Sequence, residues 1–497
     1  MKKLALLLAL GCIFTLTAQT EIEKVSETIS KSEIEGHIYF LADDLLKGRE
    51  TGSPELKIAA SYLANSFRSY GVQPNPKTGT YYQEVKLKRK SPPKDVSIVI
   101  NDQAITDYVI INAISMASYE DAIFLNYGLT DDYKGKDVKG KVVIVKAGSP
   151  ETTEGRAAFT LRRTKEKLAK DHGVTAIIEL LKVDDGMWSS IGHNFNGPTL
   201  SVDLEDTDKS GNNDIAYVWV LDKEGKMADQ FSAAKKISSA IAIGEKQEET
   251  VISQNVIGIV EGTDAKLKNE YIIYSAHYDH VGIGEPDAIG DSIYNGARDN
   301  AVGTTTVLSM AKNLAKYPTK RSALFILFTG EEKGLLGSSY YVENPVLPLN
   351  QMVYCFNSDN AGYNDTSVIS VIGLTRTSAE ANIIKAAQAF GLKAIEDPAK
   401  EQGLFDRSDN VNFAKKGIPA PTFSLGFTSF DGDVTKYYHQ PGDEADTLDY
   451  DYLLKFFQAY VLAGRNIAND KQTPVWNEGD KYEEASKDLY QVKAIKN

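Results

Sequence analysis

The chain has 497 residues, more than one ordinary hydrophobic core needs, so two or three structural units are expected. Its 55 Lys and Arg stand against 68 Asp and Glu, a net charge of −13 with no basic block to offset it, which disfavours unguided binding to nucleic acid or to an anionic membrane surface. At the start, MKKLALLLALGCIFTLTAQT sets lysines before an apolar stretch from Leu4 to Leu16 and then small and polar residues. This is the layout of a secretory signal peptide over residues 1–18, too short for a good membrane span, and it predicts a periplasmic or secreted protein. Lipid anchoring through Cys12 is disfavoured, because Ala9-Leu10-Gly11 is a poor lipobox and the apolar run continues past it. Cleavage would leave Cys355 alone, so no internal disulfide is expected even though export would permit one.

From Ile34 to Gly71 the pattern predicts a short helix, a polar loop with glycines, and a second helix in which Ala59, Tyr62, Leu63 and Phe67 share one face. YYQEVKLKRK then alternates like a strand. Between about Lys90 and Gly244 the runs VSIVI, YVIIN, AIFLNYG, KVVIVKAG and AIAIG surround one helical stretch, FTLRRTKEKLAKDHG, which predicts a small β-rich module of its own. Beyond Asn255 the rhythm changes. Apolar strands (NVIGIV, YIIYSAH, SALFILFTG, MVYCFNSD, APTFSLGF) alternate with helical segments (TTTVLSMAKNLAKY, SAEANIIKAAQAFG, YLLKFFQAYVLAGRNI). The fold class is therefore α/β, a mostly parallel mixed sheet sandwiched by helices.

In such sheets ligands bind beyond the carboxyl ends of the strands. After YIIYSA come His277 and Asp279, after SALFILFTG come Glu331 and Glu332, after MVYCFNS comes Asp359, and after TKYY comes His439. Asp299 opens a helix in GARDNAVGT. Any one of these alone would ordinarily be a cap, a turn residue or a solvated side chain, and a Glu pair is most often surface. Here the pair lies between a strand that ends in glycine and the tight KGLLGS. Together these nitrogen and oxygen donors suit zinc, and a carboxylate-rich site suits two zinc ions about 3.5 to 4 Å apart bridged by one carboxylate.

His-x-Asp, Asp299-Asn300-Ala301-Val302-Gly303, the run Gly330 to Ser338, Asn357-Ser358-Asp359 and Tyr438-His439 follow in order across residues 250 to 465. This set resembles the co-catalytic zinc exopeptidase family, which holds secreted leucyl-type aminopeptidases, glutamate carboxypeptidases and glutaminyl cyclases. FLADDLLKGRETGSPELKIAASYLANSF resembles the family's N-terminal region, and LNYGLTDDYKGKDVKGKVVIVKAG is similar to the protease-associated domain that many members carry as an insertion. The implied divisions are residues 1–18 as signal peptide, 19–89 and 246–470 as the peptidase domain, 90–245 as the inserted domain and 471–497 as a tail. The resemblance further implies that Asp299 bridges two metals, with His277 and Asp359 completing one site and Glu332 and His439 the other. Asp279 would fix the tautomer of His277 by accepting from its far nitrogen. Glu331 would be the general base, Tyr438 would donate to the developing oxyanion, and Arg407 would lie near the substrate. A cis peptide between Asp299 and Asn300 is also implied, and His280 is read as a bystander.

The chain departs from the family's usual pattern at Arg298, at Asn360 and at Asn410, where the family often has Asp, Met and His. None is a proposed ligand. GKDVKGK has the spacing of a phosphate loop, but Val142 replaces its Ser or Thr and a strand follows it instead of preceding it. No His-Glu-x-x-His helix and no Gly-x-Ser-x-Gly elbow occurs. The expected activity is trimming of peptides from the amino end. A carboxypeptidase is the first alternative, kept open by Arg156, Arg162, Arg163 and Arg407. A glutaminyl-cyclase-like acyltransferase with one zinc and an inactive receptor on the same scaffold are the others, and retention of all five ligand positions argues against both. Arg162 and Arg163 sit in a Lys-rich run that reads more simply as a solvated helix face.

Overall fold

A computed structural model describes residues 19–152, 155–203 and 215–491; the expected signal peptide and Cys12 lie outside these. The chain divides into two compact units, Lys86–Ile252 and the remainder, Met1–Val85 with Ser253–Asn497.

The larger unit is α/β. Its main strands are β1 (Gln247–Val260, whose second half lies in this unit), β2 (Tyr271–His277), β3 (Ser322–Phe328), β4 (Met352–Ser358), β5 (Val368–Ile372), β6 (Lys393–Glu396) and β7 (Thr422–Ser424). They pair in the order β1-β3-β2-β4-β7-β5-β6. β1 runs antiparallel to β3 and β5 antiparallel to β7, and the remaining pairs are parallel. β3 and β4 are buried at every residue, which is why they read as continuous apolar runs with no alternation. β5 and β6 were not foreseen, since runs this short carry too little periodicity to separate strand from helix.

Helices cover both faces. Phe67 of the helix Pro54–Tyr70, Leu308 of Gly303–Lys316, and Phe456 and Tyr460 of Tyr450–Asn469 pack with Tyr274, Phe325 and Phe356 on one side. Tyr341, Phe413 and Trp476 pack with Ile273 and Ile326 on the other. Pro54–Tyr70 has its ends written in sequence: Ser53 accepts from the Leu56 N–H at 3.0 Å, Pro54 fills the first turn, and Gly71 closes the helix at φ 83°. The segment after residue 470, expected as a tail, packs into this unit through buried Trp476 and a helix, Glu483–Gln491.

The smaller unit holds a five-stranded sheet in the order Tyr108–Asn112, Ala216–Leu221, Ala176–Leu181, Val142–Lys146, Ile123–Phe124 and a separate four-stranded sheet. Its described residues form three helices, Gly155–Asp171, Asp185–Phe195 and Lys226–Ala233, where one was expected. The two extra helices are short and start at an Asp cap and at a positive-φ glycine, signals that are weak beside the β-rich runs around them. The first helix is not wholly a solvated face either. Lys165 is buried against Glu179 at 2.6 Å, and that carboxylate also accepts from Tyr217 and Trp219.

Candidate metal centre

Parallel β2, β3 and β4 deliver three groups of side chains to one end of the sheet. His277 is the last residue of β2, Glu331 and Glu332 follow β3 through Thr329 and Gly330, and Asp359 directly follows β4. Asp299 lies in the turn Ala297–Val302 that leads into the helix Gly303–Lys316, and its peptide bond to Asn300 is cis, as the resemblance implied. His439 does not follow a strand. TKYY is the end of a four-residue helix, Gly432–Thr435, and the turn after it, and His439 sits there at φ 52°.

These donors form two clusters that share one aspartate. His277 Nε2 is 3.3 Å from Asp299 Oδ1 and 3.3 Å from Asp359 Oδ1. His439 Nε2 is 3.2 Å from Asp299 Oδ2 and 3.1 Å from Glu332 Oε2. Asp299 thus turns one oxygen to each cluster. Donors bound tetrahedrally to zinc at 2.0 to 2.2 Å stand about 3.3 to 3.6 Å apart, so the four separations are close to the edges of such a polyhedron. The residue types fit as well, since neutral imidazole and carboxylate are zinc ligands; His277, Asp299 and Asp359 form one group that could hold a metal ion, and Asp299, Glu332 and His439, with His280 beside them, form another.

Burial opposes charge here, and the neighbours decide the outcome. For His439 burial acts downward, but hydrogen bonding to Asp299 and Glu332 and the charges of both hold the imidazole at about 10. For His277 burial again acts downward, while the charges of Asp359 and Glu331 and hydrogen bonds with Asp299 and Asp359 carry it well above 6.5. Glu332 is pushed up by burial and by Asp299, yet bonds from His280 and His439 bring it to about 2. Asp299, pushed up by burial, is brought well below its ordinary value by bonds from His277 and His439. Glu331 is the exception. Burial raises it, the His277 charge lowers it, and Asp359 and Glu332 raise it again, leaving it well above the usual carboxylate range.

A shell of buried bonds fixes the frame. Asp279 was expected to accept from His277 Nδ1, but that nitrogen is 3.1 Å from the Asp279 carbonyl oxygen and 3.9 Å from its carboxylate. The carboxylate instead accepts from Thr51 Oγ1 at 2.8 Å and from the Glu331 N–H at 3.2 Å, so it holds the backbone of the second strand end. Arg49, buried, donates to the carbonyls of Leu41, Tyr278, Asn295 and Gly296 and so ties the end of β2 to the approach to Asp299. The three departures from the family pattern have visible roles. Arg298 pairs with buried Asp443 at 3.0 Å and lies 3.8 Å over the ring of Tyr437, and Asp443 also accepts from the N–H of Asp299. Asn360 donates to Asn300 Oδ1 at 2.9 Å and accepts from the Leu425 N–H. Asn410 points into backbone, donating to the carbonyls of Phe405 and Ala420.

The clusters open on a cavity walled by Ile372, Leu404, Phe427 and Phe430, with Arg407, Tyr438 and Glu331 on its polar side. Arg407 Nη2 donates to the Tyr438 hydroxyl at 3.3 Å, so both residues stand at the site. Sequence reasoning missed His280. It is fully buried with Nδ1 2.8 Å from Glu332 Oε1, and its spacing from His277 was the one available signal.

An α/β sheet thus brings together, at its strand ends, His/Asp/Glu clusters that share one aspartate and could hold metal ions, beside a raised glutamate. Residues 255–463 match the model of peptidase family M28. The chain is similar to aminopeptidase YwaD of Bacillus subtilis, 31% identical over 201 residues, which are 39% of this chain and 40% of that protein. A protein of Aspergillus oryzae named "probable leucine aminopeptidase 2" is 24% identical over 464 residues, 86% of this chain and 84% of the relative. Among solved structures, the aminopeptidase from Aneurinibacillus sp. strain AM-1 shares the fold with a TM-score of 0.61 and 22% identity over 92% of this chain and 98% of that one. The zinc aminopeptidase of Bacillus subtilis does so with a TM-score of 0.52 and 21% identity over 92% and 97%.

Proposed function

We propose that this protein is a zinc-dependent aminopeptidase that removes residues from the amino end of peptides at a site for two zinc ions. The observation that carries this is Asp299, whose two oxygens face separate clusters, with His277 and Asp359 on one side and Glu332 and His439 on the other. When bound there, such ions supply Lewis-acid polarisation of a carbonyl and make water acidic enough to lose a proton near neutral pH. Glu331, held above the usual carboxylate range, accepts that proton and passes it to the leaving amine, which is the task for which a raised carboxylate is suited. Tyr438 also lines the cavity, and its hydroxyl donates to the oxyanion that develops on the scissile carbonyl. The amino-end assignment rests on charge. A free α-ammonium needs carboxylates, and Glu331 and Asp359 line the cavity. A carboxypeptidase needs cations for the terminal carboxylate, and Arg407 is the one Lys or Arg among the described lining residues.

The test is a matched pair of peptides, one acetylated at its amino end and one amidated at its carboxyl end. The amidated peptide should be trimmed and the acetylated one left intact. The reverse would replace the aminopeptidase with a carboxypeptidase.

We also propose that the protein is exported and that the Lys86–Ile252 unit is a protease-associated insertion. The N-terminal lysines and apolar run support the first, and the β-rich segments of that unit support the second. Among the described residues no helix is long and apolar enough to cross a membrane. Amino-terminal sequencing of the protein recovered from cell fractions checks the export.

A further inference from the structure

We propose that His280 is a positioning residue that holds Glu332 as a one-oxygen metal ligand, by donating a hydrogen bond from Nδ1 to Oε1 and leaving Oε2 for the metal. The inference rests on the reading of Glu332 as a ligand, and goes beyond it in assigning a role to a side chain outside the five.

The distances separate His280 from the ligands. The ligand pairs stand 3.1 to 3.3 Å apart, near the spacing of atoms that share a zinc ion. His280 Nδ1 lies 2.8 Å from Glu332, inside the range of a direct N–H···O bond to a charged acceptor. The oxygens differ too. Oε1 faces His280, while Oε2 is the atom 3.1 Å from His439 Nε2 and so the one turned to Asp299 and the second cluster. A carboxylate free to rotate could offer either oxygen or both, and a bond to Oε1 removes that choice.

The imidazole is itself locked. The His280 N–H donates to the Arg49 carbonyl at 3.2 Å. Gly296, at φ 61°, packs directly on the ring, where an added Cβ would lie 2.6 Å from Cδ2. Nε2 is buried without a hydrogen-bond partner among the described residues, so Nδ1 is the only ring nitrogen that makes a contact. The tautomer with its proton on Nδ1 is therefore the one the surroundings select, since it alone gives Glu332 a donor. Outer groups that orient ligands in this way typically govern metal affinity by about 10- to 100-fold.

The experiment strips the full-length protein of metal with a chelator and titrates it with zinc under a competing chromophoric chelator, resolving the two affinities, in wild type, His280→Leu, His280→Asn and Glu332→Gln. Leu keeps the volume and removes the donor, while the amide nitrogen of Asn stands where Nδ1 stands. His280→Leu should weaken one of the two sites by about 10- to 100-fold and leave the other unchanged, which also shows that the variant is folded. His280→Asn should restore that affinity to within about threefold of wild type, a rescue that a merely space-filling or direct-ligand role would not produce. Unchanged zinc binding in His280→Leu overturns the proposal. So does His280→Asn losing as much as His280→Leu, which would make the imidazole a ligand in its own right. Failure of the underlying reading is visible separately: Glu332→Gln would then bind zinc as wild type does.

Discussion

Replacing Arg298 by Met tests how the site is held. The guanidinium is buried, pairs with Asp443 Oδ1 at 3.0 Å, donates to Thr447 Oγ1 at 2.7 Å and to its carbonyl at 2.9 Å, and covers Tyr437. Asp443 is wholly buried; burial raises its carboxyl, and Arg298 is the nearest charge pulling it back. Arg298→Met keeps most of the volume but leaves that carboxylate without a counter-charge, a loss of about 3 to 5 kcal/mol for a buried pair broken on one side. For a unit of this size the unfolding entropy is about 0.7 kcal/mol/K, so the melting temperature should fall by about 4 to 7 °C. A second consequence is local. Asp443 closes the turn that carries Tyr438 and His439, and it bonds the backbone of Asp299, so zinc at the His439 side should weaken more than zinc at the His277 side. His439 is the most exposed of the five candidate donors, at 35% against 1% for His277, and so has the least packing of its own. The assay is calorimetry with zinc titration of wild type, Arg298→Met and Arg298→Met/Asp443→Asn. The double variant should recover much of the loss, because the amide can still accept from the backbone N–H groups. A single variant that melts within about 1 °C of wild type, or a double variant no better than the single, would refute the reasoning.

Glu331→Gln should keep zinc and lose about 10²- to 10⁴-fold in rate, whereas Glu332→Gln should lose zinc; equal metal contents in the two would reverse their roles. Gly303→Ala would set a Cβ 2.2 Å from Asn300 Oδ1 and 2.5 Å from the Ser358 carbonyl, beside two ligands, so a loss of about 1 to 3 kcal/mol with weaker zinc at both sites is expected in melts and zinc competition. Glu396 is raised by burial but held below its ordinary value overall by the hydroxyl and N–H of Thr375 and the N–H groups of Asp397 and Gly373. A depressed carboxyl stabilises above its unfolded pKa and loses that contribution as pH falls through the folded one. Glu396→Gln should therefore cost stability at pH 7 and progressively less under acid, in denaturant titrations across that range.

His277, Glu332 and Asp359 were legible as candidate donors because each follows or ends an unbroken apolar strand, where a carboxylate or imidazole is conspicuous; Asp299 and His439, in turns, were marked by the motif resemblance instead. The second layer was not. Arg49 is more than 200 residues from the Tyr278, Asn295 and Gly296 carbonyls and Thr51 as far from Asp279, and Asp443 is 145 residues from Arg298, so only the fold brings them together. Asp279 was expected to hold His277 through its carboxylate, but that carboxylate serves Thr51 and Glu331, because the carbonyl of the same residue already occupies His277 Nδ1. His280 could not be assigned from sequence, since a residue just past a strand has no fixed face; its direction is set by the Arg49 carbonyl and by Gly296.

The central claim is that the two clusters work as one binuclear site. The most direct measurement is peptide hydrolysis by chelator-stripped protein to which zinc is returned in known equivalents, with bound metal counted in parallel by elemental analysis. The account predicts no activity without metal, about two zinc ions per chain at saturation, and full rate only when both are bound. Full activity with one tightly bound zinc, or activity that survives complete removal of metal, would contradict it.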